Sequence, residues 1–503
     1  MSGGTIRIRS IDYRILLFSL PIIALFLFSL GAASYQGGIL SFTMFGVIAV
    51  TYATTAAIWR PSIFLSITAL FLSLGFIIKL FALNFFDVEL IEPVGQFNGA
   101  TQWDTALNFA SAGLFGGTCA NYVSSFAPST RWTARPSSPM PATARPFLFL
   151  LLVVLMVFAV AVYGINLRWN ILRIGYTLGV DLPFPLYPIL AFIIAWGALI
   201  GALTLVWWLQ DLDKPVSFAA LYISGIVGLM ASLTMGSRVQ FLLYILAAVL
   251  VIASKDGVKA LFRTRVLTAS LICGLLFVLS IAAVSLQRSF DFTYPVIAVE
   301  TRDTGIRNEP AAGLTERVPT EEATGPTMSV RIQSITHELK SLLIMRWVGL
   351  EGVMTTAGSP EQLGIALFSA ALHEYPAMGA NGIYQHMSGD RYANVKDYVF
   401  LTLPGPIGVA SYTGNLVLIV AFVFVCMLLG HALELYCASV TRNLGCTSAV
   451  GVSLAYLFVQ MGFPWTLFIY CVELFLTISV IALLRLALLK FAVNDRKVLP
   501  AQA

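Results

Sequence analysis

The sequence predicts an all-α polytopic integral membrane protein: about twelve transmembrane helices in a single membrane domain, with one large outer loop late in the chain. Two observations carry this. Of 503 residues, 58% are hydrophobic and only 11% charged, with a mean hydropathy of +0.85, whereas a soluble domain carries roughly 25% charged residues. So little polar surface excludes a soluble enzyme of this length. The apolar residues also fall in continuous blocks of roughly the 20 residues a bilayer-crossing helix needs. A β-barrel would show short alternating segments instead.

The blocks run at about 15–33, 38–58, 62–83, 105–127, 147–165, 187–209, 215–235, 239–254, 266–287, 414–435, 446–464 and 466–489. The first is too long for the apolar region of a signal peptide and is expected to stay as an anchor. With the N-terminus inside, Arg7, Arg9 and Arg14 fall in the cytoplasm. So do Arg60, then Arg131, Arg135 and Arg145, then Lys255, Lys259, Arg263 and Arg265, and finally Lys490, Arg496 and Lys497. The loop carrying Asp87, Glu89, Glu92 and Asp104 falls outside. Every informative short loop then obeys the positive-inside rule. Residues 1–287 form spans one to nine, 288–413 the outer loop, and 414–503 the last three spans and a tail. Both termini are expected in the cytoplasm.

The outer loop holds about half of the acidic residues. Glu300 to Pro326 is rich in Thr, Pro, Gly and Glu and reads as an irregular excursion. From Met328, Ile332, Ile335, Leu339 and Leu342 recur at helical spacing, with Arg331, Ser334, Glu338 and Ser341 on other faces, which predicts an amphipathic helix. Ser359-Pro360-Glu361-Gln362 reads as an N-cap, a proline at N1 and a capping-box partner, opening a second helix through Leu372.

Polar groups in hydrocarbon are costly, so those in or beside the spans are candidates for function. Arg238, in Leu233-Thr234-Met235-Gly236-Ser237-Arg238, lies between two spans with almost no loop between them. Its cation is expected at the outer face on a nearly rigid turn; the plain alternative is snorkelling to headgroups. Lys79, in Leu74-Gly75-Phe76-Ile77-Ile78-Lys79, lies about one turn from the outer end of the third span, again with snorkelling as the alternative. Arg168 and Arg173 follow the fifth span, where a solvated loop face would also account for them. Arg346-Trp347-Val348-Gly349-Leu350-Glu351-Gly352 places a cation and an acid five apart, in reach of an internal ion pair. Further on come His373-Glu374-Tyr375, His386, Asp390-Arg391 and Thr402-Leu403-Pro404-Gly405-Pro406-Ile407-Gly408, the last a rigid lead-in to the tenth span. Glu473 reads as the one plain mid-span acid. The histidines and acids lack metal-ligand spacing, and no phosphate-binding loop, nucleophile elbow or dinucleotide fingerprint occurs. The six cysteines lie in or beside apolar blocks and read as small buried hydrophobes. A net charge of +5 does not point to nucleic acid. Arginine forks match phosphate oxygens bidentately, so the outer cations suit an anionic, membrane-embedded substrate such as a lipid pyrophosphate.

Leu233 to Arg238 resembles the L-T-x-S-R type turn of the bacterial O-antigen polymerase and ligase superfamily. Arg346 to Glu351, Thr402 to Gly408 with Tyr412 and Gly414 after it, and the Leu74-Gly75…Lys79 pattern resemble its oligosaccharide repeat-unit polymerase (Wzy-like) branch. About twelve spans with one large late outer loop is similar to that family over nearly the full length. The resemblance implies a metal-independent, cofactor-free membrane glycosyltransferase of the GT-C type in the bacterial inner membrane. Its substrates would be undecaprenyl-pyrophosphate-linked oligosaccharides, donor and acceptor, polymerised on the periplasmic face into O-antigen or a related surface polysaccharide. A chain-length regulator and a flippase would be partners. Arg238 and Arg346, with Lys79, Arg168 and Arg173, would hold the pyrophosphate, and Glu351 or His373 would accept the acceptor hydroxyl's proton. His373 could also be read as the outer-loop histidine of the ligase branch. A twelve-span transporter or flippase is the rival from another class, but the long loop here is outer and follows span nine, and Ile58-Trp59-Arg60-Pro61-Ser62 lacks the gating motif of major facilitator proteins.

Overall fold

A computed structural model describes Phe28, Gly31, Leu90 and residues 35–59, 62–86, 92–128, 140–175, 182–210, 218–291, 347–360, 364–389 and 403–498. Among these every regular element is helical, and eight helices are long and apolar enough to cross a membrane. The first expected span, at 15–33, lies almost wholly outside the described residues, as do the amphipathic helix expected from Met328 and Arg346.

The helices are α1 (Ile39–Trp59), α2, α3 (Ala100–Ser124), α4 (Arg145–Trp169), α5, α6 (Ala219–Met235), α7 (Arg238–Asp256), α8 (Thr264–Asp291), α9 (Leu350–Gly358), α10 (Ile365–Ala371), α11 (Ile383–Ser388), α12 (Gly405–Ser411), α13 (Leu416–Thr441), α14 (Leu444–Val459) and α15 (Pro464–Val498). Two are interrupted. α2 runs over Ile63–Leu72, through a π-helical turn at Ser73–Ile78, and ends as Lys79–Phe86; α5 runs over Leu186–Phe192, a π turn at Ile193–Gly197, and Ala198–Leu209. Wide π turns disturb the backbone ladder, and in α5 side chains use the exposed acceptors. Tyr163 donates to Ile194 O at 3.2 Å, Gln240 donates to Ala195 O at 2.5 Å, and Tyr244 also donates to Ala195 O.

Three expected spans are not long apolar helices. α6 and α14 have 17 and 16 residues. α3 has 25 but is less apolar, because its interior is given to glycine and polar residues. These are the packing centres. α14 is buried nearly all round and joins α2 to α5 and α7. Ser448 donates to Ala247 O at 2.7 Å, and a side chain at Gly445 would meet Leu203 O at 2.3 Å. On α3, Gly113 faces Ile407, Gly116 faces the backbone of Val420, and Gly117 faces the ring of Tyr52, so one glycine-lined helix seats α12, α13 and α1. The lipid-type helices, α4, α8, α13 and α15, are the least buried, as elements facing hydrocarbon should be.

Helix starts are capped across the bundle. Glu434 of α13 accepts from Ile63 N and Phe64 N at 2.9 and 2.8 Å, while Ser62 Oγ accepts from Leu65 N at 3.0 Å. Asp104 of α3 accepts from Gly38 N at 2.8 Å, ahead of α1, and from the hydroxyl of Tyr35 at 3.1 Å. A carboxylate at a helix N-terminus satisfies orphan N–H groups and opposes the dipole. Glu434, at the end of its apolar block, is fully buried, and the charge is tolerated because two amides hold it. The helix expected from Pro360 instead begins at Ile365, after Gly364 at φ +60°. A left-handed residue cannot lie inside a right-handed helix, so the start moves beyond it.

Candidate functional site

The turn at Gly236 is built by backbone chemistry. Gly236 takes φ +64°, which glycine adopts at little cost, and closes α6 by donating its N–H to Ser232 O. Ser237 N also donates to Ser232 O at 3.0 Å, and Ser232 Oγ donates to Ser237 O at 2.6 Å and lies 2.9 Å from Ser280 Oγ of α8. Arg238 is therefore the first residue of α7, half-buried, and its guanidinium donates to Ser285 Oγ of α8 at 2.7 Å.

Arg173 is brought to the same turn from α4. Asn166, fully buried in the last turn of α4, accepts from Leu172 N at 2.8 Å and donates to Leu172 O at 3.1 Å and to Thr234 O at 3.3 Å. Ile174 N donates to Met235 O at 2.9 Å. Arg173 consequently packs over Gly236, its Cγ and Nε 4.0 Å from where a side chain there would begin. With the Gln287 amide turned to suit its neighbours, its oxygen accepts from Arg173 Nη2 at 2.9 Å and its nitrogen donates to Leu233 O at 3.3 Å. Two guanidinium groups thus gather where α7 begins. A cation at a helix N-terminus is disfavoured by the dipole, whereas an anion there is favoured by dipole and amides alike. Arg168, in the last turn of α4, is exposed.

Lys79 lies elsewhere, and not at a snorkelling position. Its ammonium donates to Glu351 Oε1 and to Trp347 O, both at 2.5 Å, with the Lys79 and Glu351 side chains 1% and 5% exposed. Glu351 lies in the first turn of α9, a nine-residue helix that is buried throughout. The Trp347–Gly349 strip lies across the π turn of α2. The Trp347 ring stacks on Phe71 at 5.3 Å, and a side chain at Gly75 would fall 2.1 Å from Val348 O. Gly352 faces Pro404 O at 2.0 Å on the same construction. The three segments singled out around Lys79, Glu351 and Gly405 therefore form one buried, glycine-packed unit. Burial raises the carboxyl of Glu351, and the Lys79 ammonium opposes that rise. Glu351 is thus paired with Lys79, while the ion pair expected between Arg346 and Glu351 involves a residue outside the described ones.

His373 is exposed, its Nδ1 2.8 Å from Ser369 O one turn back. Its neighbour Glu374 is buried and accepts from Ile383 N at 2.5 Å. Burial raises the Glu374 carboxyl, opposed by that N–H and by His386. Tyr384 and Tyr412 pack with Ala371 in a small second core beside it. Among the described residues no three His, Cys, Asp or Glu side chains converge as metal ligands.

The structure therefore brings Arg173 and Arg238 to the same turn, at Gly236, and pairs Lys79 with Glu351 as a separate group. Asn166, Ser285, Gln287 and Glu434 were missed in sequence. Their signal was present, since each is a polar residue in or at the end of an apolar block. Comparison with family models, with curated proteins and with solved structures returns no match.

Proposed function

We propose that the protein is a membrane glycosyltransferase that polymerises undecaprenyl-pyrophosphate-linked oligosaccharide repeat units, on the periplasmic face of a bacterial inner membrane. The proposal includes twelve spans, both termini cytoplasmic and the 288–413 segment periplasmic. The observation that carries it is the placing of Arg173 and Arg238 at one turn, around Gly236 where α7 starts, held by Asn166, Ser285 and Gln287. Two planar forks and a helix N-terminus suit a pyrophosphate better than a single charge does. The packing of the Gly75, Gly349 and Gly352 segments into one unit agrees with their recurrence together in the family that the sequence resembles.

In this reading the acceptor hydroxyl attacks the anomeric carbon of the donor glycan. The bond to the pyrophosphate oxygen breaks, and the arginines stabilise the charge that develops on the leaving group. His373, exposed, takes the hydroxyl proton; Glu351 is engaged by Lys79 and serves to hold α9 in place. Arg346 and Arg168 remain candidates for further phosphate contacts.

Arg238→Ala and Arg173→Ala should each abolish long chains in the lipopolysaccharide ladder at normal protein levels. Arg238→Lys should restore little, since a point charge lacks the fork. Normal ladders from Arg238→Ala would overturn the reading. The exposed His373 favours ligation as a second reading. A deletion strain separates the two: a ligase defect removes all repeats from lipid A, whereas a polymerase defect leaves one. Cytoplasmic accumulation of lipid-linked units would instead mean a flippase.

A further inference from the structure

α1, α3 and α13 meet along a seam that carries polar residues at helical spacing. On α13, Met427, His431 and Glu434 recur at i, i+4 and i+7; on α3, Gly117, Asn121 and Ser124 do the same. Such residues share a helix face. The two stripes face one another, because a side chain at Gly117 would meet the Met427 sulfur at 3.1 Å and the Tyr52 ring of α1 at 2.6 Å. Asn121 Nδ2 lies 3.4 Å from Thr55 Oγ1, one turn along α1 from Tyr52. At its lower end the α13 stripe finishes at Glu434, on the N-terminus of α2.

Among the described residues, several polar atoms on this seam have no protein partner. They are both ring nitrogens of His431, the hydroxyl of Tyr52, Oδ1 of Asn121 and Oγ of Ser124. The residues are 4%, 1%, 0% and 2% exposed. An isolated buried polar atom costs free energy comparable with a lost hydrogen bond. Four such residues gathered on three adjoining helices point to a shared ligand rather than to four separate losses.

The chemistry of the set selects the ligand. A neutral imidazole offers one donor and one acceptor, tyrosine and serine hydroxyls offer both, and Oδ1 only accepts. All four side chains are neutral partners, and the set mixes donors with acceptors. The charge of Glu434 is already met by Ile63 N and Phe64 N, so no counter-ion is called for. We infer that the α1–α3–α13 seam is a binding site for a small cluster of ordered water, held by His431, Asn121, Ser124 and Tyr52. Water, which donates and accepts, can satisfy all of these groups at once.

X-ray hydroxyl-radical labelling of the full-length protein in lipid nanodiscs, read by mass spectrometry, tests this. Bound water is the radical source, so Tyr52 and Met427 should be modified several-fold faster than Tyr244 and Met354, which are similarly buried. Tyr244 is a matched control because its hydroxyl donates to Ala195 O. His431→Leu should bring the Tyr52 and Met427 rates down toward the controls, and His431→Gln should keep them high. Equal rates for seam and control residues in the wild-type protein would overturn the proposal, as would a folded His431→Leu protein with undiminished labelling. Should His431→Leu fail to fold, the wild-type comparison decides by itself.

Discussion

Lys79 and Glu351 are each, alone, a charge that the interior would reject. Removing one partner of a buried pair strands the other, at about 3–5 kcal/mol, whereas replacing both by apolar residues of similar volume is often neutral. Lys79→Met and Glu351→Leu should therefore each lower unfolding stability by about that amount, and the double variant should recover most of it. Additive losses in a denaturation series in detergent would show that the two do not act as a pair. Glu374 makes a different prediction. Its folded pKa is raised above the ordinary value of 4.5, so folding favours the protonated form. The stability it lends is fully present below that ordinary value and is lost as pH rises through the folded pKa. Glu374→Gln should flatten the fall in melting temperature over that window; an unchanged pH profile would refute the assignment.

At the scale of elements, glycine separates into two kinds. Gly75 and Gly352 permit backbones to touch, and an added methyl would fall 2.1 and 2.0 Å from carbonyl oxygens. Gly75→Ala and Gly352→Ala should each destabilise by about 1–3 kcal/mol or more. Gly164, inside α4, has nothing within 4 Å of an added methyl, so Gly164→Ala should instead stabilise by about 0.5–1 kcal/mol through helix propensity. Melting temperatures of the three variants test the contrast. The same distinction marks what could be read in the chain. The apolar blocks located α1, α4, α7, α8 and α13, because lipid-facing length leaves a strong one-dimensional signal. The role of α9 and the pairing of Lys79 did not show, because burial of a short glycine-rich helix depends on segments 272 residues apart. Nor did α3 or α14 read as packing centres, since small residues resemble weak spans. For the candidate site, Arg238 was legible from its turn. Arg173 is brought to it by Asn166, Ile174 and Gln287, whose bonds no local pattern reports.

For the whole molecule, the orientation is open to direct measurement. In a background lacking the six native cysteines, single cysteines at 305 and 320 should react with an impermeant reagent from outside, and those at 138 and 259 should not. Position 259 serves because Lys259 is exposed whereas Ala260 is buried. External labelling at 138 would invert the orientation and move the Arg173–Arg238 turn to the other face. The bonds between distant helices also set a timetable for biogenesis. Lys79 meets Glu351 272 residues later, and Ile63 meets the carboxylate of Glu434 371 residues later. At translation rates of about 5–20 residues per second, Lys79 waits on the order of tens of seconds for its counter-charge. Through that interval the α1–α2 hairpin is a nascent intermediate with an unneutralised ammonium and an unsealed helix start. Such a hairpin requires shelter beside the insertion machinery until the last third of the chain emerges, and a ribosome stalled before codon 351 would deliver a substrate for membrane quality control.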